Sequence, residues 1–232
     1  MIHVILMGPQ GSGKGTQSER VRTQLNLGSI ATGELFRAAI KGGTELGKEV
    51  QAIYDRGELV PDDLTVALVQ ERIDQLAQER SRGARVDGAL YDGFPRTIAQ
   101  ADALSGVLAA RDEQLTAVIA IDVPRQTLME RLAGRRVCSA CGRVYNIHSG
   151  PPAVDGVCDV CGARVSQRAD DTPEAVAKRL DLYDIETAPL VDRYQEQGLV
   201  TRIDGDRPID EVTESIISAI QSRTERSTAG VG

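Results

Sequence analysis

"IHVILMGPQGSGKGTQ", residues Ile2 to Gln17, decides the fold. Its first half is a short, nearly continuous apolar run ending in glycine, the pattern of a parallel strand buried on both faces. The second half spells G-x-x-x-x-G-K from Gly8 to Lys14, and a helical stretch, "GTQSERVRTQLN", follows at once. A strand before and a helix after turn that spacing from a weak match into a specific one. The glycines let backbone amides converge on phosphate oxygens, the helix N-terminus adds its positive end, and Lys14 follows the β and γ phosphates. A plain glycine-rich turn would need no lysine there. Gly15 occupies the position after the lysine, and the hydroxyl comes one residue later, at Thr16.

Downstream, strands alternate with helices. "TGELFRAAIKGG" reads as a helix with Thr32 as N-cap and Gly42-Gly43 as the stop, "TELGKEVQAIYDRG" as a second closed by Gly57, and "PDDLTVALVQERIDQLAQER" as a longer one. The polar "RSRGARVDG" connects to a short strand, "ALYD". "TIAQADALSGVLAARD" returns to helix, "TAVIAIDV" to buried strand and "PRQTLMERLAGR" to helix. A long helical stretch from Thr172 to Gln197 should be kinked or divided by Pro189. "LVTRID" and "IDEVTESIISAIQSR" supply a last strand and helix, with "STAGVG" a frayed tail. This alternation predicts a parallel, doubly wound α/β sheet whose ligands bind beyond the C-terminal strand ends.

Composition narrows the function. Lys plus Arg number 27 against 34 Asp plus Glu, a formal charge of −7, which argues against general nucleic-acid binding. Trp is absent and aromatics are 3%, leaving little surface for stacking bases. No run approaches the roughly 18 apolar residues of a membrane span, and the start has no signal-peptide pattern, so a cytoplasmic chain is expected, with no membrane partner.

Chemistry gathers in three further places. "LYDGFPRTIAQ" puts Asp92 at the end of an apolar strand, where a carboxylate can orient Mg²⁺ or its water shell, with Arg96 just beyond. A strand-terminal turn with a surface arginine is the bland alternative. Thr97-x-x-Gln100 is a capping-box pattern, so Gln100 either caps its helix or offers its amide to adenine. Arginines recur between Arg131 and Arg179. Singly, each reads as a solvated charge. Alongside a phosphate loop they read as charge compensation for phosphoryl transfer, which asks for positioning rather than a protein nucleophile. His3 and His148 fit no catalytic pattern.

Cys138-x-x-Cys141 and Cys158-x-x-Cys161, 16 residues apart, have the spacing of a four-thiolate zinc ribbon. Each knuckle ends in glycine, Gly142 and Gly162. Four thiolates close the tetrahedral shell, so the metal expected is structural Zn²⁺, with iron or cobalt depending on supply. Disulfides are the weaker alternative for a cytosolic chain. A segment of about 30 residues has too little core to hold its shape, whereas structural zinc contributes roughly 10 to 16 kcal/mol in isolated small domains.

"GPQGSGKGTQ", "ATGELFRAAI", "LVPDD", "DGFPRTIAQ" and "GRRV…QRADD…KRL" stand in the order and at the spacings of the adenylate kinases, and the chain resembles that family from Met1 to about Gln221. G-K-G-T is also that family's usual form. The resemblance implies a P-loop doubly wound parallel five-stranded sheet with a helical NMP-binding insertion and a zinc-ribbon lid. It implies a core over residues 1-31, 62-134 and 172-232, an AMP-binding subdomain over 32-61 and a lid over 135-171. ATP would be held by Gly11, Ser12, Gly13, Lys14, Gly15 and Thr16, with Arg131, Arg135, Val144, Tyr145 and the Arg207 region. AMP would be held by Thr32, Gly33, Arg37, Leu59, Val60, Gly93, Arg96, Gln100, Arg168 and Arg179. Lys14, Arg96, Arg131, Arg135, Arg168 and Arg179 would compensate charge during transfer, with Asp92 associated with Mg²⁺. Ala169 stands where a basic residue often follows the arginine of "R-x-D-D", and "RSRGARVDG" looks like a local insertion. ATP, AMP and ADP are the implied partners, and a monomer is expected. A kinase of another monophosphate is the runner-up. From a different class comes a zinc-ribbon nucleic-acid or adaptor protein switched by ATP, against which the acidic balance argues.

Overall fold

The computed structural model describes residues 1–55, 60–167 and 171–229. Its centre is a five-stranded parallel sheet in the order β2-β3-β1-β4-β8, formed by β1 (Ile2–Met7), β2 (Leu27–Ala31), β3 (Gly88–Asp92), β4 (Ala117–Asp122) and β8 (Val200–Asp204). Neighbouring strands are parallel throughout. Side chains of a strand alternate between faces, and each face here has its own apolar layer. Ile5, Met7, Tyr91, Val118 and Ala120 pack under α4 (Asp62–Ser81), α5 (Ile98–Ala109) and α8 (Ala188–Glu196). Val4, Leu6, Leu90, Ile119 and Ile121 pack under α1 (Lys14–Gln24) and α9 (Ile209–Ala229). Each such aliphatic residue taken fully from water contributes roughly 1.5–3 kcal/mol, so apolar strands sandwiched between helices are the stable solution for this sequence.

The strand β2 escapes the sequence pattern because Gly28 and Ser29 interrupt it and only Leu27 and Ile30 are buried. Gly28 is demanded by packing: a Cβ there would lie 2.2 Å from Leu76 Cδ2 of α4. The register then fixes the working end. Asp92 lies opposite both Leu6, just before the phosphate loop, and Ala31, just before Thr32.

Three local expectations are corrected or sharpened. Helix α2 (Thr32–Gly42) begins at Thr32, with Ala31 as N-cap, because the Thr32 hydroxyl donates to the Gly93 carbonyl (3.2 Å) instead of capping. Helix α3 (Glu45–Asp55) packs against α2, while the proposed stop at Gly57 lies outside the described residues. Pro189 divides its helix as expected: α7 (Pro173–Leu182) passes through a π turn, Tyr183–Thr187, into α8. Proline has no N–H for the usual i−4 bond, and the Ala188 N–H reaches back five residues to Tyr183 O. Helix α9 continues to Ala229 rather than stopping at Arg223.

Residues 134–167 depart from the main sheet. After α6 (Arg125–Ala133), the strands β5 (Arg135–Cys138), β6 (Val144–Asn146) and β7 (Val165–Ser166) form a small antiparallel sheet in the order β6-β5-β7.

Candidate functional site

Lys14 opens α1 and its side chain curls back into the loop, with Nζ donating to the carbonyls of Gly8 and Pro9 (2.9 Å to the latter). Burial lowers its ammonium to about 8, Asp92 opposing the shift and Arg96 and Arg135 adding to it. One lysine thus feels the phosphate loop, the acceptor strand and the cysteine segment together. Ser12 is buried with an Oγ that has no hydrogen-bond partner, while Gly15 and Thr16 are exposed.

The acceptor side converges on one carbonyl. Gly93 O accepts from Arg96 Nε (2.8 Å) and from Thr32 Oγ1 (3.2 Å). Gly93 itself has φ +76°, a left-handed backbone that favours glycine, and an added Cβ would crowd Arg96 Nη2 at 2.9 Å. The capping box is realised in part: Gln100 N–H donates to Thr97 Oγ1 (3.1 Å), while Gln100 Oε1 accepts from Arg96 N–H (2.8 Å) rather than from the N-cap residue. Asp62, the first residue of α4, accepts from Gln100 Nε2 (2.6 Å) and from Thr97 Oγ1 (2.8 Å). Arg37 is exposed beside Gly33, and Val60 packs against the α2–α3 cluster. Leu59 lies outside the described residues.

On the other side, Asp171 gathers two arginines. Arg135 makes a bidentate pair with it, Nε to Oδ2 at 2.8 Å and Nη2 to Oδ1 at 2.5 Å, and Arg179 Nη2 reaches Oδ1 at 2.8 Å. Its side chain is 0% exposed. Burial pushes the carboxyl up, but the two guanidinium groups outweigh it and hold it below the usual carboxylate range. Asp171 was not singled out from sequence; "R-x-D-D" shows the residue, but only the fold shows it buried between two arginines. Arg131 donates to Gly205 O (3.1 Å) and to Asp206 Oδ1 (3.1 Å), tying α6 to the loop after β8. Arg207 turns onto α9, donating to Ser215 Oγ (2.9 Å). Arg168 and Ala169 lie outside the described residues.

The four cysteines are free thiols whose ligand atoms all lie within 4.8 Å of one another. Cys138 Sγ is 3.4 Å from Cys161 Sγ, and Cys141 Sγ is 3.6 Å from Cys158 Sγ. Sulfurs on a tetrahedral metal at the usual Zn–S length stand about 3.8 Å apart, so the cluster fits a metal of that kind. The Tyr145 hydroxyl donates to Cys158 Sγ (3.4 Å) and accepts from Asp159 N–H (2.9 Å) inside the small sheet. That hydrogen bond, helped by the amides of Cys161 and Val160 against the effect of burial, lowers the Cys158 thiol to about 6, favouring the thiolate that binds metal. Val144, its neighbour on β6, is exposed.

His3 sits away from these groups, between Tyr91 OH (2.9 Å) and Glu113 (3.0 Å), and burial lowers its pKa despite the carboxylate. His148 is exposed in a turn closed by Asn146. A cleft of about 600 Å³ opens beside the loop, lined by Pro9, Asp122, Arg125, Tyr183, Arg202 and Asp204. Its arginines are paired with Asp181, Asp184 and Asp122, so among the described residues its lining offers a phosphate no unpaired arginine.

A phosphate loop on a doubly wound sheet, Arg96 and Arg135 both acting on its Lys14, and a metal-type cysteine knuckle on the segment that carries Arg135 define a P-loop phosphotransferase. The sequence model described as adenylate kinase matches residues 6–199. An adenylate kinase of Moorella thermoacetica is 49% identical over 219 residues, covering 94% of this chain and 98% of that protein. Adenylate kinases of Carboxydothermus hydrogenoformans (48%, 94% and 99% covered) and Staphylococcus aureus (44%, 94% and 99%) are similar over the same extent. The chain belongs to the adenylate kinase family, and it is a nucleoside monophosphate kinase that transfers a phosphoryl group between ATP and AMP.

Proposed function

We propose that the chain carries out MgATP + AMP ⇌ MgADP + ADP with the following division of labour. The loop from Gly11 to Thr16 holds the ATP phosphates, and Lys14 exchanges its carbonyl contacts at Gly8 and Pro9 for phosphate oxygens. Thr32, Gly33, Arg37, Gly93 and Arg96 hold the AMP phosphate and ribose, with Leu59, Val60 and Gln100 at the base. Arg131, Arg135, Arg168 and Arg179 spread positive charge over the migrating group from the other side. Mg²⁺ travels with ATP and compensates phosphate charge, and Asp92 stands where a carboxylate can orient it. AMP already offers a phosphate oxygen, so no side chain need act as nucleophile. The carrying observation is the common field at Lys14, to which the acceptor motif contributes Asp92 and Arg96 and the cysteine segment contributes Arg135.

Residues 135-171 act as a lid in this reading and 32-61 as the AMP subdomain, with 1-31, 62-134 and 172-232 as the core. The Cys138, Cys141, Cys158, Cys161 cluster holds structural Zn²⁺, making the lid one rigid piece that delivers its arginines together. Closure keeps water from the phosphates. Among the described residues no helix is long and apolar enough to cross a membrane. We place the enzyme in the cytoplasm as a monomer.

The test is ADP formation from MgATP with AMP, CMP, UMP and GMP as separate acceptors and a no-acceptor control. Preference for AMP is expected. Preference for a pyrimidine would overturn the acceptor assignment, and the absence of acceptor-dependent turnover by metal-loaded protein would overturn the whole reading.

A further inference from the structure

The Gln100 carboxamide is held by partners that each have one chemical sense. The Arg96 backbone N–H donates to Oε1 (2.8 Å), and Asp62 Oδ1 accepts from Nε2 (2.6 Å). A backbone N–H only donates and an ionised carboxylate only accepts. Turning the amide over would set N–H against N–H and carbonyl against carboxylate. Gln100 is 6% exposed, so water does not make good the loss. Asp62 is itself anchored, because its Oδ2 accepts the Thr97 hydroxyl (2.8 Å), and that same hydroxyl caps α5 by accepting from Gln100 N–H (3.1 Å).

These bonds use one N–H and one lone pair of the amide and leave one of each. The free donor lies on a fixed side and the free acceptor on the other. Adenine's edge offers a 6-amino donor beside a ring-nitrogen acceptor, which such a pair matches in one order only. A 6-oxopurine reverses the group at position 6.

We propose that Asp62 is a specificity-determining positioning residue: without touching the base, it fixes which way the Gln100 amide faces and so selects 6-amino over 6-oxo purine monophosphates. The proposal rests on Gln100 reading the base. Asp62 is suited to the task by position, since it opens α4 immediately after the segment that would receive AMP.

The test compares kcat/KM for AMP and for inosine monophosphate at saturating MgATP in the wild type, Asp62→Asn, Asp62→Ala and Gln100→Ala. Asparagine can still accept from Gln100 Nε2 through its carbonyl, or turn its own amide to Oε1, so it weakens the preference, whereas alanine removes Asp62's share of the restraint and leaves only the Arg96 N–H. The AMP-to-IMP ratio should therefore fall in the order Asp, Asn, Ala, with Ala about tenfold below wild type, the size of one net hydrogen bond. A purely structural role would lower kcat/KM for both nucleotides together and leave their ratio unchanged in both variants, and that result overturns the proposal. The melting temperature and KM for ATP report folding separately, and Asp62→Ala carries the test if Asp62→Asn does not fold. Should Gln100→Ala leave the ratio at its wild-type value, it is the base-reading role of Gln100 that fails, taking the proposal with it.

Discussion

The phosphate loop stands on β1, where Val4, Ile5, Leu6 and Met7 are buried on both faces of the main sheet, whereas the buried cluster of the small sheet comprises, among the described residues, Cys138, Tyr145, Cys158 and Val165, with Ala163 packed against it. Both regions carry cations, Lys14 in the first and Arg135 in the second. The first has an apolar foundation, so its lysine can sit unsupported on loop carbonyls. The second has little, and its cationic edge is held by a carboxylate, Asp171, beside a cluster of four thiols. Where a segment cannot bury enough apolar surface, discrete bonds replace area, and each such bond becomes a single point of failure.

That contrast can be broken most severely at the sulfurs. Cys138→Ser with Cys141→Ser should abolish metal retention and lower kcat/KM for ATP by about 10² or more, the scale of losing a preorganised donor, while far-UV circular dichroism of the core stays near wild type. Metal analysis and calorimetry check it; retained metal with unchanged melting would refute the staple. A smaller effect is expected at Asp171→Asn. Loss of the carboxylate frees Arg135 and Arg179 from their shared position, and kcat should fall roughly 10- to 100-fold with a lower melting temperature and unchanged metal content. An unaltered kcat would show that the arginines find their places without it.

The mildest test sharpens the other side. In the empty enzyme Lys14 titrates near 8, and bound phosphates favour its charged form, so ATP affinity should be full below pH 8 and decline as pH rises through it. Binding at pH 8 should take up about half a proton, read by calorimetry in buffers of different ionisation enthalpy. Lys14→Arg, always charged, should take up none at this position. Net release by the wild type would contradict the burial of the ammonium.

Much of this was legible beforehand, for physical reasons that differ by residue. The buried strand before Gly8 announces itself because both faces must be apolar, and the cysteine knuckles because metal geometry restricts spacing. Leu27–Ala31 was not legible, since a strand narrowed to admit Leu76 loses the apolar pattern that would identify it. Asp62 and Asp171 looked like ordinary acids: their roles depend on being brought 38 and 36 residues across the chain to Gln100 and Arg135, a distance no local pattern spans. Tyr145, which the resemblance to adenylate kinases marks as a nucleotide contact, also holds Cys158 through its hydroxyl, a bond that no local pattern announces.

The π turn at Tyr183–Thr187 carries a consequence for angular phase. It holds one residue more than an α-helical turn would, and each residue of an α-helix advances the side chains by about 100°. Arg179 on α7 points to Asp171, while Leu190, Val191 and Tyr194 on α8 point into the sheet. These directions agree only because the extra residue is present. Excising the exposed Ile185 would force a choice between seating the helix and aiming the arginine, so one surplus residue keeps the hydrophobic and the arginine-bearing halves of this helix in step.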